Sequence, residues 1–340
     1  MKEYTIAIDT GTTNTRVLLL DKNSRPLASA KSETGVRITA IDGDNRRLKE
    51  AVRSCIRQVL DEKGLDFGDV RRVIASGMIT SNMGLVELPH VPAPAGPGEL
   101  AAHAKRILME DVCPLPIFFI PGVKNHGHEV HLENLESMDM MRGEEVETIA
   151  VLNHFEKGRP YALVLPGSHT KIVSVDEGGR ITGCLTSITG ELLAAITNDT
   201  LISDAVGHQF AGEDNYDREM VLAGFRTASR TGIGRACFSA RILNTFAEKD
   251  KGKIASYVLG AVLQNDIDAV RNSSALAVSR ETTVIVSGKN PFRRALVDLF
   301  REDGTFGWVE EFVPASSMPL SAEGASLVAD LAEGEEGAAR

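Results

Sequence analysis

Apolar and polar positions alternate with short breaks from the first residues of the chain. "YTIAID" is apolar and β-rich, "TGTTNT" interrupts it, "RVLLLD" resumes it, "KNSRP" turns, and "LASAKSE" alternates. That pattern predicts strand, turn, strand, turn, strand. "NRRLKEAVRSCIRQVLDEKG" then places Leu48, Val52, Ile56, Val59 and Leu60 on one stripe, the mark of an amphipathic helix, with Gly64 as its stop. "VRRVIASG" reads as a short buried strand and residues 81–98 as a Pro/Gly-rich loop. A helix is expected near 98–109, a strand at "PIFFIPG" and a helix at "GEEVETIAVLNHF". The element order is βββαβαβα.

The order then restarts. "YALVLPGSHTKIVSVDEGGRITGCLTS" overlays the opening, with Tyr161 on Tyr4, Asp176 on Asp21 and Arg180 on Arg25, and its first turn is two residues shorter. "GELLAAITNDTLI" reads as a helix, followed by a helical region over about 214–271. The strand "ETTVIVSG", the helix "PFRRALVDLF", a short strand near "FGWVEEF" and a helix near 320–333 complete the half. Without the helical region the order is again βββαβαβα. The reading is an α/β protein of two similar domains, 1–157 and 158–340, whose Gly/Thr turns face each other across a cleft. Such interfaces are favoured ligand sites. The polar tail after residue 333 is expected to fray.

Composition narrows the classes. A net charge of −10 argues against a sequence-independent nucleic-acid binder. It leaves a phosphate ligand open, because backbone N–H groups and a metal hold phosphate whatever the global charge. The four cysteines, Cys55, Cys113, Cys184 and Cys237, form no Cys-x-x-Cys pair, so a reducing cytoplasm is the expectation. The sequence has no signal-peptide core and no apolar stretch long enough for a bilayer, and no membrane partner is expected.

Two turns carry candidate chemistry. In "DTGTTNTR", Gly11 permits close approach, and Thr12, Thr13 and Asn14 supply N–H and hydroxyl groups suited to phosphate oxygens. Asp9, at the strand end, is placed to hold Mg²⁺ through water, since Mg²⁺ takes few protein carboxylates. A plain hairpin is the competing reading, but a hairpin seldom needs four Thr/Asn residues beside a terminal acid. "PGSHTK" is the counterpart, with Gly167, Ser168, His169 and Thr170 toward phosphate and Lys171 pointing outward. Ser81 and Asn82, directly after the fourth strand, suit sugar hydroxyls; Arg16 and Arg142 are further candidates for the acceptor, and Arg142 could equally pair with Glu145. Thr189 is a natural helix N-cap. Gly288 would let an adenosine lie close to backbone. His126, His128 and His131 match no ligand spacing and read as a solvated loop.

The duplicated plan with an Asp-x-Gly-Thr-Thr turn resembles the sugar-kinase, chaperone-ATPase and actin superfamily of ribonuclease H-like domains. "DTGTTNTR", "GMITSNMGLVELPHVPAPAG", "IPGVKN", "DMMRGEE", "PGSHTK", "TGELL", "CFSARIL" and "SYVLGAVLQNDI" fall in the same order as segments of the 2-dehydro-3-deoxygalactonokinase family. The resemblance implies an ATP- and Mg²⁺-dependent kinase acting on the 6-hydroxyl of 2-dehydro-3-deoxy-galactonate. A carboxylate must accept that hydroxyl's proton. By analogy with related sugar kinases the resemblance implies Asp139, with Glu144 and Glu145 as alternatives that also suit a helix N-terminus. It further implies that Gly190, in "TGE", faces the nucleotide or the metal. The chain departs from the family pattern at Leu85 and His90, and in "GAVLQNDI" and "SGKNPFRRAL". A related acid such as 2-keto-3-deoxygluconate, or a non-catalytic nucleotide sensor on the same fold, remain alternatives. A closed homodimer is the expectation for a soluble enzyme.

Overall fold

The computed structural model describes residues 2–338, with side chains as far as residue 334. Fourteen strands and eleven α-helices are present among them. The first half holds β1 (Tyr4–Thr10), β2 (Thr15–Leu20), β3 (Pro26–Ser32), α1 (Arg37–Asp42), α2 (Arg46–Asp61), β4 (Val70–Gly77), β5 (Val91–Pro92), α3 (Pro97–His103), β6 (Lys105–Met109), β7 (Cys113–Phe119), β8 (Val123–Lys124), β9 (Met140–Met141) and α4 (Glu144–Leu152). The second holds β10 (Tyr161–Leu165), β11 (Thr170–Val175), β12 (Ile181–Ser187), α5 (Thr189–Asp199), α6 (Ser203–Val206), α7 (Arg218–Thr231), α8 (Ile233–Phe246), α9 (Lys251–Asn272), β13 (Thr283–Val286), α10 (Phe292–Asp303), β14 (Trp308–Glu311) and α11 (Leu320–Ala338).

The two main sheets share one topology. Their orders are β3-β2-β1-β4-β7-β6 and β12-β11-β10-β13-β14. In each, the first three strands form an antiparallel meander and the next two add in parallel. Duplicated ribonuclease H-like domains are therefore present. Parallel central strands buried on both faces read as near-continuous apolar runs, which is why "YALVL" and "TVIV" contain so few polar residues.

The first sheet buries one face against α2, whose Leu48, Val52, Ile56 and Val59 are fully enclosed. The opposite faces of both sheets share a single core in which Ile74, Phe118, Leu163, Val173 and Ile285 meet Val146 of α4 and Val328 of α11. Thus α11 ends the second half in sequence but packs on α3 and α4 of the first. Arg72 of β4, almost buried, anchors it through Asp330 at 2.6 Å. The remaining face of the second sheet carries α7, α8 and α9, the helical region expected over about 214–271.

Two expectations need correction. The stretch near 98–109 is not one helix: α3 stops at His103, and Lys105–Met109 becomes edge strand β6, paired antiparallel with β7. A short apolar-polar run such as "KRILM" fits either state, and its pairing with β7 decides it. Of the tail expected to fray after 333, residues 334–338 continue as helix, and 339–340 lie outside the described residues.

Backbone and side-chain hydrogen bonds join the halves beside the cleft. Ala95 and Ile181 exchange backbone hydrogen bonds at 2.9 and 2.8 Å. The Asn125 carboxamide accepts from Cys184 N at 2.7 Å and donates to Cys184 O at 2.8 Å. Glu136 accepts from Ser274 N at 3.0 Å and from the hydroxyls of Ser273 and Ser274.

Candidate active site

Both Gly/Thr turns are held from behind in the same way. In the first, Gly11 N donates to Asn14 O at 2.9 Å, while the Gly11 and Thr12 carbonyls accept from Val36 N (3.1 Å) and Arg37 N (2.9 Å). Those carbonyls face inward, and exposed Thr12 and Thr13 face out. The approach requires Gly35, because a Cβ there would lie 2.4 Å from Gly11 O. In the second turn, Ser168 O accepts from Glu191 N at 3.0 Å, and a Cβ on Gly190 would lie 2.1 Å from Gly167 O. The two braces are Thr34-Gly35 and Thr189-Gly190, each just past a third strand. They extend the internal repeat beyond the segment that sequence comparison aligned.

Thr15 Oγ1 completes the first support, donating to Thr34 O at 2.8 Å and meeting Thr10 Oγ1 at 3.2 Å. Gly288, at φ +96°, packs against Pro166 at the base of the second turn, and its carbonyl accepts from Arg293 at 2.6 Å. His169 reaches Ser168 Oγ through Nδ1 (3.3 Å) and Glu191 through Nε2 (3.4 Å).

A cavity of about 720 Å³ lies between the turns. Gly11, Thr12 and His169 come to it from the two turns, Ser81 and Asn82 from the loop after β4, and Arg142 and Glu144 from the start of α4. Of the other expected residues, Thr13 and Asn14 sit beside this lining on the first turn, bonded to each other at 2.8 Å. Gly167, Ser168, Thr170 and Gly190 form the body and brace of the second, and Gly288 lies behind it.

Arg142 is oriented by three acceptors. It donates to Thr80 Oγ1 (2.8 Å), Leu88 O (2.6 Å) and His90 Nδ1 (3.3 Å). Burial, then the neighbouring Arg142 and Lys124 charges, push the His90 ring down to about 4. His90 is therefore neutral near pH 7 and its Nδ1 can accept. Leu85, the other departure from the family pattern, is buried in the first-half core.

The acids separate by environment. Glu144 lines the cavity. Glu145 is completely buried, its carboxylate accepting from Gly143 N at 2.8 and 2.9 Å, and burial with the adjacent Glu144 pushes it up to about 8. Arg142 thus bonds other groups than Glu145. Glu147, one turn along from Glu144, is pushed up to about 7 by burial and by Glu144 and Asp9. Asp9 is 3.6 Å from Arg16, and burial raises its carboxyl above the usual range despite that partner. Arg16 is thereby engaged at the mouth of the first turn.

Lys171 differs from expectation: it points inward. Its ammonium donates to Met140 O (2.9 Å), Asp139 Oδ1 (3.4 Å) and Thr186 Oγ1. An ammonium has three protons, and all three are used. Asp139 Oδ1 also accepts from Met140 N (2.6 Å) and Thr186 Oγ1 (3.2 Å). The inward turn follows from alternation, since Lys171 follows Thr170 on β11 and pairs with Leu165, so its side chain faces β9 of the other half. The sequence reading turned Lys171 outward and missed Gly35 and Glu147; the repeat could have given Gly35, through its match with Gly190.

The model of the 2-keto-3-deoxy-galactonokinase family matches residues 9–305. No curated protein sequence matches the chain. Among solved structures, a candidate 2-dehydro-3-deoxygalactonokinase of Sinorhizobium meliloti is 20% identical with a TM-score of 0.70, covering 98% of this chain and 99% of that one. At that identity the likeness establishes the fold. An activator of 2-hydroxyisocaproyl-CoA dehydratase from Clostridium difficile, with bound ADPNP, is 11% identical with a TM-score of 0.47 over 98% and 97% of the two chains. A glucokinase from Balamuthia mandrillaris in complex with glucose is 13% identical with a TM-score of 0.43 over 96% and 94%. Neither of the last two bears on the argument.

Proposed function

The chain belongs to the 2-keto-3-deoxy-galactonokinase family, and from that premise we propose that it moves the γ-phosphoryl group of ATP to the 6-hydroxyl of 2-dehydro-3-deoxy-galactonate. The sugar-acid kinase class follows from family membership. The finer reading is supported by one observation above all: a single cavity is lined by both phosphate-type turns, by Ser81 and Asn82, and by the oriented fork of Arg142.

Phosphoryl transfer needs positioning and charge neutralisation more than covalent chemistry. The two turns hold the triphosphate from opposite sides. Arg142 takes the substrate carboxylate by its charge and by single N–H groups of Nε and Nη1, since both Nη2 protons go to Leu88 and His90. Ser81 and Asn82 bond the sugar hydroxyls. For the base, geometry favours Glu144 over Asp139: Glu144 faces the cavity, whereas Asp139 holds Lys171. A base must reach the proton it removes.

Mg²⁺ belongs to the proposal, with Asp9 as its protein ligand through water. The fit rests on Asp9 being partly buried, near Glu144, with the largely exposed Arg16 as the cation opposite it. A hard, oxygen-preferring cation suits that surplus of negative charge. When bound, it neutralises phosphate charge. A cytoplasmic setting is also proposed, in keeping with four buried free cysteines; among the described residues no helix is long and apolar enough to cross a membrane.

The test is to incubate the pure protein with ATP, Mg²⁺ and a panel of 2-keto-3-deoxy sugar acids and to follow ADP release. Phosphorylation of the galactonate form above all others is expected. Preference for the gluconate form would change the acceptor, and ATP binding without any sugar-dependent turnover would replace the enzyme with a sensor.

A further inference from the structure

Behind the second turn, α9 carries one acid into an apolar interior. Asp266 is fully buried. Its Oδ1 accepts from Ser187 Oγ and from Thr189 Oγ1, each at 2.5 Å, and its Oδ2 has no partner. The buried Thr170 hydroxyl faces the same carboxylate and has no other partner. Burial holds the carboxyl above its usual range, opposed by those hydroxyls.

The three hydroxyls come from the three segments that form the turn's cradle. Thr170 begins β11 directly after the turn, Ser187 ends β12, and Thr189 opens α5. Gly190 and Glu191, next along α5, brace Gly167 and Ser168. The first half closes its equivalent joint without an acid, by Thr10, Thr15 and the Thr34 carbonyl. A carboxyl buried this far is costly unless its neighbours satisfy it. The Ser187 and Thr189 hydroxyls are spent on Asp266, so they are unavailable to a ligand.

We propose that Asp266 is a positioning residue for the nucleotide, gathering β11, β12 and α5 into the shape that holds phosphate and tying the helical region of the second half to that turn. This rests on the reading that the second turn binds ATP. The chemistry recognised is a nucleoside triphosphate's phosphate chain; Asp266 does not touch it.

The experiment is calorimetric titration of the full chain with ATP and Mg²⁺, then with the sugar acid. Wild type is measured first: absence of ATP binding there would sink the nucleotide reading itself, not the role of Asp266. Given binding, Asp266→Leu, similar in size but without an acceptor, is expected to weaken ATP about tenfold. Asp266→Asn keeps one acceptor oxygen and is expected to lose less than about threefold. Sugar-acid affinity and melting temperature should stay near wild type for both. Should Asp266→Leu not fold, Ser187→Ala and Thr189→Val remove the donors one at a time, and each should weaken ATP selectively. Wild-type ATP affinity in the folded variants overturns the proposal. So does a parallel fall in ATP affinity, sugar-acid affinity and melting temperature, which would make Asp266 a packing residue.

Discussion

Lys171 Nζ lies 3.4 Å from Asp139 Oδ1, so a cation from the second half's turn strand and a carboxylate from the first half's cleft segment are joined across the molecule. In the internal repeat Lys171 occupies the place of Arg16, which is paired with Asp9 inside its own half. One of these equivalent cations therefore serves its own turn and the other fastens the two halves together. The lysine is 8% exposed and the aspartate 22%. Replacing Lys171 by Met keeps the stem but leaves Asp139 without its cation. For so partly screened a partner the expected loss is about 1–3 kcal/mol, below that for a fully buried pair. Urea denaturation would report it as a lower midpoint at unchanged slope; an unchanged midpoint would mean that the pair does not hold in solution.

Glu144→Gln separates the two candidate bases. Loss of a positioned general base typically costs about 10²–10⁴ in rate. The Gln variant should bind ATP and sugar acid within a few-fold of wild type and lose at least 100-fold in kcat. Asp139→Asn should lose much less, because its oxygen can still accept from Lys171. If single-turnover rates reverse that order, the base is Asp139 and Lys171 must release it during closure.

The glycine braces give a structural prediction on binding. Gly35→Ala sets a Cβ 2.4 Å from Gly11 O, and Gly190→Ala sets one 2.1 Å from Gly167 O. Backbone oxygens cannot yield as side-chain ends do, so each turn must shift. A misplacement of about 1 Å in a positioning element costs up to about 100-fold. Both variants should raise the KM for ATP by tenfold or more while the KM for the sugar acid changes little; equal effects on both would point to a general loss of fold.

Which features were readable from sequence follows from what makes each. The meander and the amphipathic α2 were legible because period-2 and period-3.6 patterns are local. The duplication was legible because both turns kept their small residues. Lys105–Met109 was not, since five residues cannot declare a period and β7 decides their state. The destination of α11 was not, because nothing in its sequence says which half's core its Val328 will enter. Arg142, Ser81 and Asn82, expected from motif context, line the cavity. The inward turn of Lys171 and its pairing with Asp139 depend on how the halves meet, which is a tertiary fact.

Glu145 predicts a pH dependence of stability. Its folded carboxyl keeps a proton up to about 8, whereas the unfolded chain gives it up near the ordinary 4.5. Between those values the folded state binds more protons, so its stability falls as pH rises. Glu147, pushed up to about 7, acts in the same direction. The stabilising contribution is full below about 4.5 and is lost as pH passes through 8. Glu145→Gln carries no titrating proton and should lessen the slope of the unfolding free energy between pH 5 and pH 8.5, leaving the part due to Glu147, Asp9 and Asp266, whose carboxyls burial also raises. An identical slope in both proteins would remove Glu145 as its source.

Arg142→Lys tests the acceptor side. The guanidinium donates to Thr80, Leu88 and His90, and Arg142 lines the cavity. An ammonium has only three protons and no planar fork. In the Lys variant the protein acceptors compete with the substrate carboxylate for the same donors. The KM for the sugar acid should rise by about tenfold to 100-fold, the equivalent of about 1.4–2.8 kcal/mol. The KM for ATP should stay within about twofold if Arg142 serves the acceptor, as proposed. A neutral analogue lacking the carboxylate provides the control: wild type and variant should handle it alike. If the variant discriminates against that analogue as strongly as against the acid, Arg142 shapes the loop between Thr80 and His90 and does not read the carboxylate.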